Sequence, residues 1–297
     1  MIVSVWKNKK RLHTKVKFIL WYLVRFVIIV GICYVILYPF LTKIINGFKS
    51  YDDLIDPTVE YFPRNPTLQY YRQVLGEMDY LRSLGNTLMI SLVVAFLQTA
   101  VATVVGYGFA RFKFKGNKML FAMVILMLII PPQTILVPLF VRFKMFFGFI
   151  NLIDTPWPIF IMAATGTGYK NGLYIFLTRQ FFINMPKELN EAAAIDGCGV
   201  YRTFFKIMLP SATTILTTVF LLSFSWQWTD TLYSGLFFRD TNILSNAINK
   251  VGVGAQMAVS GNLQNIGALW VILPLAVLYI FAQRAFVESI DNAGIVG

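Results

Sequence analysis

A chain of 297 residues with 57% apolar side chains, 13% charged residues and a mean hydropathy of +0.64 excludes a water-soluble globular domain. On so apolar a chain the formal net charge of +12 reads as basic residues gathered on one side of a membrane, and no nucleic-acid partner is expected. Two cysteines (Cys33, Cys198) and one histidine (His13) leave no disulfide framework and no metal cluster.

A helical bilayer crossing needs about twenty apolar residues, and the chain holds about six such runs. Residues 1–19 form a basic tail with Lys7, Lys9, Lys10, Arg11, Lys15 and Lys17. No small-residue cleavage site follows, and the apolar run to Ile45 is too long for a signal-peptide core. An uncleaved first span is therefore expected near 20–44, its amino terminus cytoplasmic and Arg25 snorkelling to the interface. The next stretch, 46–82, is polar, richer in acidic than basic residues, and carries Pro57, Pro63 and Pro66. It is expected outside, either as a linker or, given its length, as a functional loop.

A second span is expected near 84–109, with Asn86 as a candidate N-cap. Arg111, Lys113, Lys115 and Lys118 then mark a cytoplasmic loop. Pro131 and Pro132 interrupt a third span near 119–141, since neither donates a backbone hydrogen bond. Freed carbonyls at membrane depth are tolerated beside protein or water. Pro131, Pro132, Gln133 and Thr134 are thus candidates for a cavity wall, with a packing kink as the other reading.

The fourth span, near 157–180, is broken by Thr165-Gly166-Thr167-Gly168-Tyr169-Lys170-Asn171-Gly172. An intramembrane lysine points to a functional site; the alternative is a water-exposed helix break. In either case water or substrate lies near Tyr169, Lys170 and Asn171.

The segment 181–210 is a polar interruption between apolar runs. Pro186 suits the first position of a helix, and Glu188 falls in its first turn near the positive end of the helix dipole. Leu189, Ala192 and Ala193 share a face that Ile195 continues, and Gly197 can end the helix in a left-handed conformation. A second helical pattern stacks Tyr201 with Phe205 and Phe204 with Met208 before Pro210. The alanine face, flanked by Glu191 and Asp196, favours docking by another protein over a helix resting on lipid headgroups, which would be basic and bulky.

A fifth span near 210–233 ends in Trp226-Gln227-Trp228-Thr229-Asp230-Thr231-Leu232-Tyr233. Aromatic faces interleaved with hydrogen-bonding groups suit sugar rings; an interfacial aromatic belt is the alternative. A second outer loop covers 234–266, a last span 267–287, and a short tail 288–297. The transmembrane domain is thus 20–287, and the basic clusters fall on one side of this six-span arrangement.

Glu191-Ala192-Ala193, Asp196-Gly197 and Ile207-x-Leu209-Pro210 resemble the EAA loop of inner-membrane permease subunits of ABC importers. Gly108-Phe109-Ala110-Arg111-Phe112-Lys113-Phe114-Lys115-Gly116, Ile130-Pro131-Pro132, Arg179-Gln180-Phe181-Phe182, Pro186-Lys187-Glu188-Leu189 and Gln283-Arg284-x-Phe286-Val287-Glu288 are similar to the carbohydrate-uptake, maltose-transporter-like branch. The likeness covers nearly the whole chain. Cys198 stands in place of a usual alanine, a second proline beyond Pro210 is absent, and Trp228-Thr229-Asp230 replaces the more common Trp-Asn-Asp.

The resemblance implies an all-α polytopic permease of the type I importer fold in a bacterial or archaeal cytoplasmic membrane, with both termini cytoplasmic. It implies a heteromeric assembly with a second homologous permease, two ATP-binding subunits and an extracytoplasmic solute-binding protein. Loops 46–82 and 234–266 would meet that binding protein. The cargo would be a carbohydrate, an oligosaccharide with acidic groups among the options, and the rival cargo a peptide or amino acid. Glu188, Glu191, Ala192, Ala193, Asp196, Gly197 and Phe204 would couple to the ATPases. Pro132, Gln133, Tyr169, Lys170, Asn171, Trp226, Gln227, Trp228 and Asp230 would line the substrate path. No catalytic residue is expected: no serine has a plausible base and no Gly-Lys-Ser/Thr occurs, so ATP and Mg would sit on the partner subunits. An ion-coupled secondary transporter would need carboxylates in mid-span, which these spans lack. A non-transporting scaffold would not need the Pro, Gly and Lys interruptions.

Overall fold

The computed structural model describes residues 2–294, with side chains described from 17 to 283. The basic tail before Lys17 and the carboxy-terminal motif and tail from Arg284 onward lie outside the described side chains. The fold is helical, with one isolated bridge between Phe146 and Ile150 and no strand among the described residues. The chain forms two compact units, 1–74 with 254–269 and 75–253 with 270–297.

The first unit opens with α1 (Ile2–Gly47), whose stretch Lys17–Gly47 has the length and hydropathy of a bilayer crossing. Every side chain from 17 to 41 is exposed, as expected of a helix apolar on all sides. The polar sequence beyond it is folded rather than a bare linker. Helix α2 (Tyr51–Ile55) is capped by Ser50, whose hydroxyl accepts from the Asp53 amide at 3.3 Å. The Lys49 ammonium, buried, donates to the carbonyls of Val59 (2.8 Å) and Glu60 (3.0 Å). Asp53, also buried, accepts from the Asn65 amide at 2.9 Å. Gly47 is required where it stands: a Cβ there would lie 2.6 Å from the Tyr71 hydroxyl, which donates to the Ile44 carbonyl at 2.9 Å. Hydrogen bonds from Thr58, and secondarily the charge of Arg64, hold Asp56 below the usual carboxylate range. Helix α3 (Gln69–Glu77) follows.

The second unit is built on α4 (Tyr80–Arg111), the longest helix wholly within it. After α5 (Asn117–Ile129), α6 (Leu136–Lys144) and α7 (Trp157–Ala164) comes α8 (Asn171–Asn184), which packs along α4. Gly106 permits that contact, because a Cβ there would meet the Thr178 hydroxyl at 2.2 Å; Thr178 instead donates to the Ala102 carbonyl at 2.7 Å. Helices α9 (Glu188–Ile195), α10 (Val200–Thr203) and α11 (Leu209–Ser211) make the polar segment, with a π-helical turn at Phe204–Met208. Helix α12 (Thr213–Trp228) packs against both α4 and α8, and α13 (Leu232–Phe237) and α14 (Leu244–Ala247) follow. The last helix, α15, runs Met257–Gly294.

Among the described residues three helical stretches are long and apolar enough to cross a membrane, Lys17–Gly47, Tyr80–Arg111 and Met257–Gln283; counting each of two bent helix pairs as one span raises the number to five. The expected third span, 119–141, is interrupted at the prolines: the chain bends by 99° between α5 and the helical stretch from Pro132 to Lys144, because Pro131 and Pro132 leave the ladder open. The expected fourth span, 157–180, is two short helices separated by the glycine-rich stretch 165–170. The fifth ends at Trp228 rather than at 233, and the last begins at Met257 rather than at 267.

Candidate functional site

The segment between α8 and α12 is a helix, a glycine turn and a second helix. Glu188 opens α9 two residues after Pro186, so that proline precedes the helix instead of starting it. Gly197 has φ +71°, and the amides of Gly197 and Cys198 donate to the carbonyls of Ala194 (3.1 Å) and Ala193 (2.8 Å). This pair of bonds around a left-handed glycine is a Schellman stop. No atom lies within 4 Å of the place where a Cβ on Gly197 would sit, so only backbone conformation demands glycine.

The loop has two faces. Leu189 and Ala193, four residues apart, turn inward, and Ala193 is 1% exposed. Ala192 and Ile195 are exposed, which corrects the single Leu-Ala-Ala-Ile face expected from spacing. Glu188, Glu191 and Asp196 are exposed without an ion-pair partner among the described residues. On the second helix Tyr201 and Phe205 face out, while Phe204 and Met208 are buried. Phe204 therefore anchors the loop instead of presenting a contact, its ring 4.8 Å from that of Tyr107 on α4. Tyr107 also meets Phe182 edge-on at 5.3 Å, and Arg111 donates to the Met185 carbonyl at 2.9 Å. After Pro210 the chain bends by 74° into α12. The exposed acidic and apolar surface is thus mounted on α4 and α8 by buried aromatic contacts.

The second constellation lies at the α7–α8 break. Lys170, N-cap of α8, has φ +63°, a conformation uncommon for a residue other than glycine. Its ammonium lies 5.1 Å from the Tyr169 ring centroid and 4.7 Å from that of Trp226, within cation–π range. Tyr169 meets Trp226 and Tyr233 edge-on at 5.8 and 5.6 Å. These groups border a cavity of about 200 Å³ whose lining includes Pro132, Ile135, Thr167, Tyr169, Lys170 and Tyr233. The break is pinned from behind by Gln98 of α4, whose amide donates to the Tyr169 carbonyl at 3.0 Å and whose carbonyl accepts from Ser223 of α12. Gly168 makes room for this, since a Cβ there would stand 2.7 Å from the Gln98 amide.

Of the residues expected to line a path, Pro132, Tyr169 and Lys170 come together at this cavity and Trp226 joins them through its ring. Gln133 is exposed and outside the lining. Gln227 lies at a smaller pocket beside Thr87 and Ser91. Asn171 is fully buried. Trp228, 2% exposed, donates its indole N–H to the Val271 carbonyl at 3.0 Å. Asp230 is a helix cap: its carboxylate accepts from the amides of Leu232 (3.2 Å), Tyr233 (3.2 Å) and Ser234 (2.7 Å). It is therefore not the counter-ion of Lys170, because its oxygens are committed to α13. Sequence reasoning missed Gln98 and Ser223; a glutamine inside an otherwise apolar run was the available signal for the first.

Residues 98–291 match the family model described as binding-protein-dependent transport system inner membrane component. The chain belongs to this family. Its members are membrane components of transport systems and not enzymes, and the chain is a multi-pass inner-membrane protein. It is 29% identical to the arabinooligosaccharides transport system permease protein AraQ of Halalkalibacterium halodurans, over 90% of this chain and 93% of that protein. It is 28% identical to the maltodextrin transport system permease protein MdxG of Bacillus subtilis, over 89% of this chain and 92% of that protein. Its fold matches a chain of a bacterial ABC transporter involved in the import of the acidic polysaccharide alginate, with a TM-score of 0.72 at 19% identity, covering 89% of this chain and 96% of that chain.

Proposed function

We propose that this chain is the translocating permease subunit of an ATP-driven importer of oligosaccharides. The loop at 186–210 carries the reading: an exposed acidic and apolar surface, closed by a left-handed glycine, is anchored through Tyr107 on α4, the helix that also carries Gln98. In the assembled importer a second permease, two ATPase subunits holding ATP and Mg, and an extracytoplasmic binding protein complete the machine. Closure of the ATPases moves α9 and α10, and Tyr107, Phe182 and Phe204 pass that movement to α4. A two-state change of cavity access follows. The chain crosses the membrane about six times, with the α7–α8 pair counted as one crossing and both termini cytoplasmic. This orientation predicts that cysteines at Asp56 and Met257 react with an impermeant thiol reagent in intact cells, whereas one at Gly116 does not; labelling at Gly116 contradicts it. Met257 is chosen because it is 95% exposed, whereas Asn262 is 5% exposed.

Named relatives transport arabinooligosaccharides and maltodextrin, which supports a carbohydrate cargo. Lys170 at the cavity rim, without an ion-pair partner among the described residues, favours a cargo bearing anionic groups. Uptake by Lys170→Gln and Lys170→Glu variants tests this with a uronate-containing oligosaccharide and a neutral one of equal length. The glutamate variant is expected to lose the charged sugar selectively; equal loss of both, or none, removes the anionic reading and leaves a neutral oligosaccharide.

A further inference from the structure

The turn between α4 and α5 holds a feature the transport reading does not use. Phe109 to Met119 surround an open cavity of about 800 Å³. Lys113, Lys115 and Lys118 line it, all exposed, and no carboxylate pairs with any of them among the described residues. Three unpaired ammonium groups within six residues repel one another. The turn is nonetheless built to hold them there. The Asn117 amide donates to the carbonyls of Phe112 (3.0 Å) and Phe109 (3.4 Å). The Phe109 ring meets Phe114 at 6.1 Å and Phe121 at 5.7 Å, and Phe112 meets Tyr107 edge-on at 5.7 Å. Gly116, at φ +89°, takes the left-handed step that reverses the chain into α5.

The rest of the lining is apolar, with Phe109, Phe112, Phe114 and Met119. Beyond the cavity, α5 presents exposed Met119, Leu120, Met123, Leu126 and Ile129. A cationic cavity with an apolar wall thus opens onto an exposed apolar helix at one end of a membrane span. A molecule filling it needs an anionic head joined to an apolar tail. We propose that this turn binds the headgroup of an anionic phospholipid, with the lysines on the phosphate and the α5 face along the acyl chains. Basic pockets at the ends of membrane helices favour such headgroups, at about fivefold in affinity per lysine and on the order of a hundredfold for three.

The test uses the intact, purified importer complex in mild detergent, with photoactivatable phosphatidylglycerol or phosphatidylcholine carrying the reactive group near the head. Phosphatidylglycerol is expected to label the peptide containing residues 109–119, and unlabelled phosphatidylglycerol, but not inorganic phosphate, to compete. The K113Q/K115Q/K118Q variant is expected to lose that labelling, on the order of a hundredfold, with an unchanged unfolding temperature. The corresponding triple arginine variant retains it. Equal labelling by both lipids, undiminished labelling of the glutamine variant, full displacement by phosphate, or protection of the peptide by the ATPase subunits would each overturn the proposal. The readout is lipid attached to a peptide, so it stands apart from whether the cargo is an oligosaccharide.

Discussion

The turn after α9 and the break between α7 and α8 each use a left-handed residue to interrupt helical structure, and they do so by opposite means. At Gly197 the residue is glycine, the surrounding space is empty, and both hydrogen bonds that close the turn come from the preceding four residues. At Lys170 the residue is a lysine in a conformation that costs about 1–2 kcal/mol, and it is held from other helices, by the Trp226 ring and by Gln98 through the Tyr169 carbonyl. The first turn is specified locally, which suits a part that receives force. The second exists only while α4, α8 and α12 keep their present arrangement, which suits a part that must change when they shift.

The sharpest way to break the comparison is at the Gly197 turn. Gly197→Val places a β-branched residue at positive φ and is expected to abolish solute-stimulated transport, while Gly197→Asn, which tolerates that conformation, retains a large fraction. Uptake by reconstituted importer checks both; equal activity of the two would mean that the left-handed turn is irrelevant. Next in size is the frame shared by the two regions. Gly106→Val drives a side chain into Thr178 and the α8 backbone and is expected to cost about 3 kcal/mol or more, read as lowered thermal stability of the purified complex.

Gln98→Leu removes the bond to Tyr169 and leaves the Ser223 hydroxyl without its acceptor, at roughly 1–3 kcal/mol. Hydrogen exchange should rise around 165–172 and stay unchanged across 188–200, separating the two turns. Smallest is Lys170→Gly, which relieves the left-handed strain and forfeits about 0.5–1 kcal/mol of cation–π attraction. Its net stability change is expected to lie within about 1 kcal/mol of zero, read by the same thermal measurement.

The same contrast explains what was legible in the sequence. The loop 186–210 is written in consecutive residues: the acidic first turn, the alanines, Gly197 and Pro210 each have a local meaning, and the structure places all of them in one helix–turn–helix. Even there, spacing alone did not divide Ala192 and Ile195 from Leu189 and Ala193, because burial against Tyr107 and Phe182 decides that. Pro131-Pro132 announced a break but not the size of the 99° bend. The cavity was half legible. Glycines and a lysine marked the break, but it is pinned by Gln98 and Ser223, separated by 125 residues, and Asp230 looked like a ligand because a cap and a ligand have the same composition. The folded character of 46–82 was hidden for a related reason: Lys49 and Asp53 are buried against backbone groups up to 12 residues away, and a composition rich in charge gives no sign of it.

The central claim is that 186–210 is the surface through which ATPase subunits drive this permease. It is tested most directly by placing p-benzoylphenylalanine at Tyr201, which is 83% exposed on that loop, and irradiating the assembled importer. The account predicts a cross-link to an ATP-binding subunit whose yield changes between nucleotide-free and ATP-bound states. Cross-linking only to lipid or to the companion permease, unchanged by nucleotide, would contradict it.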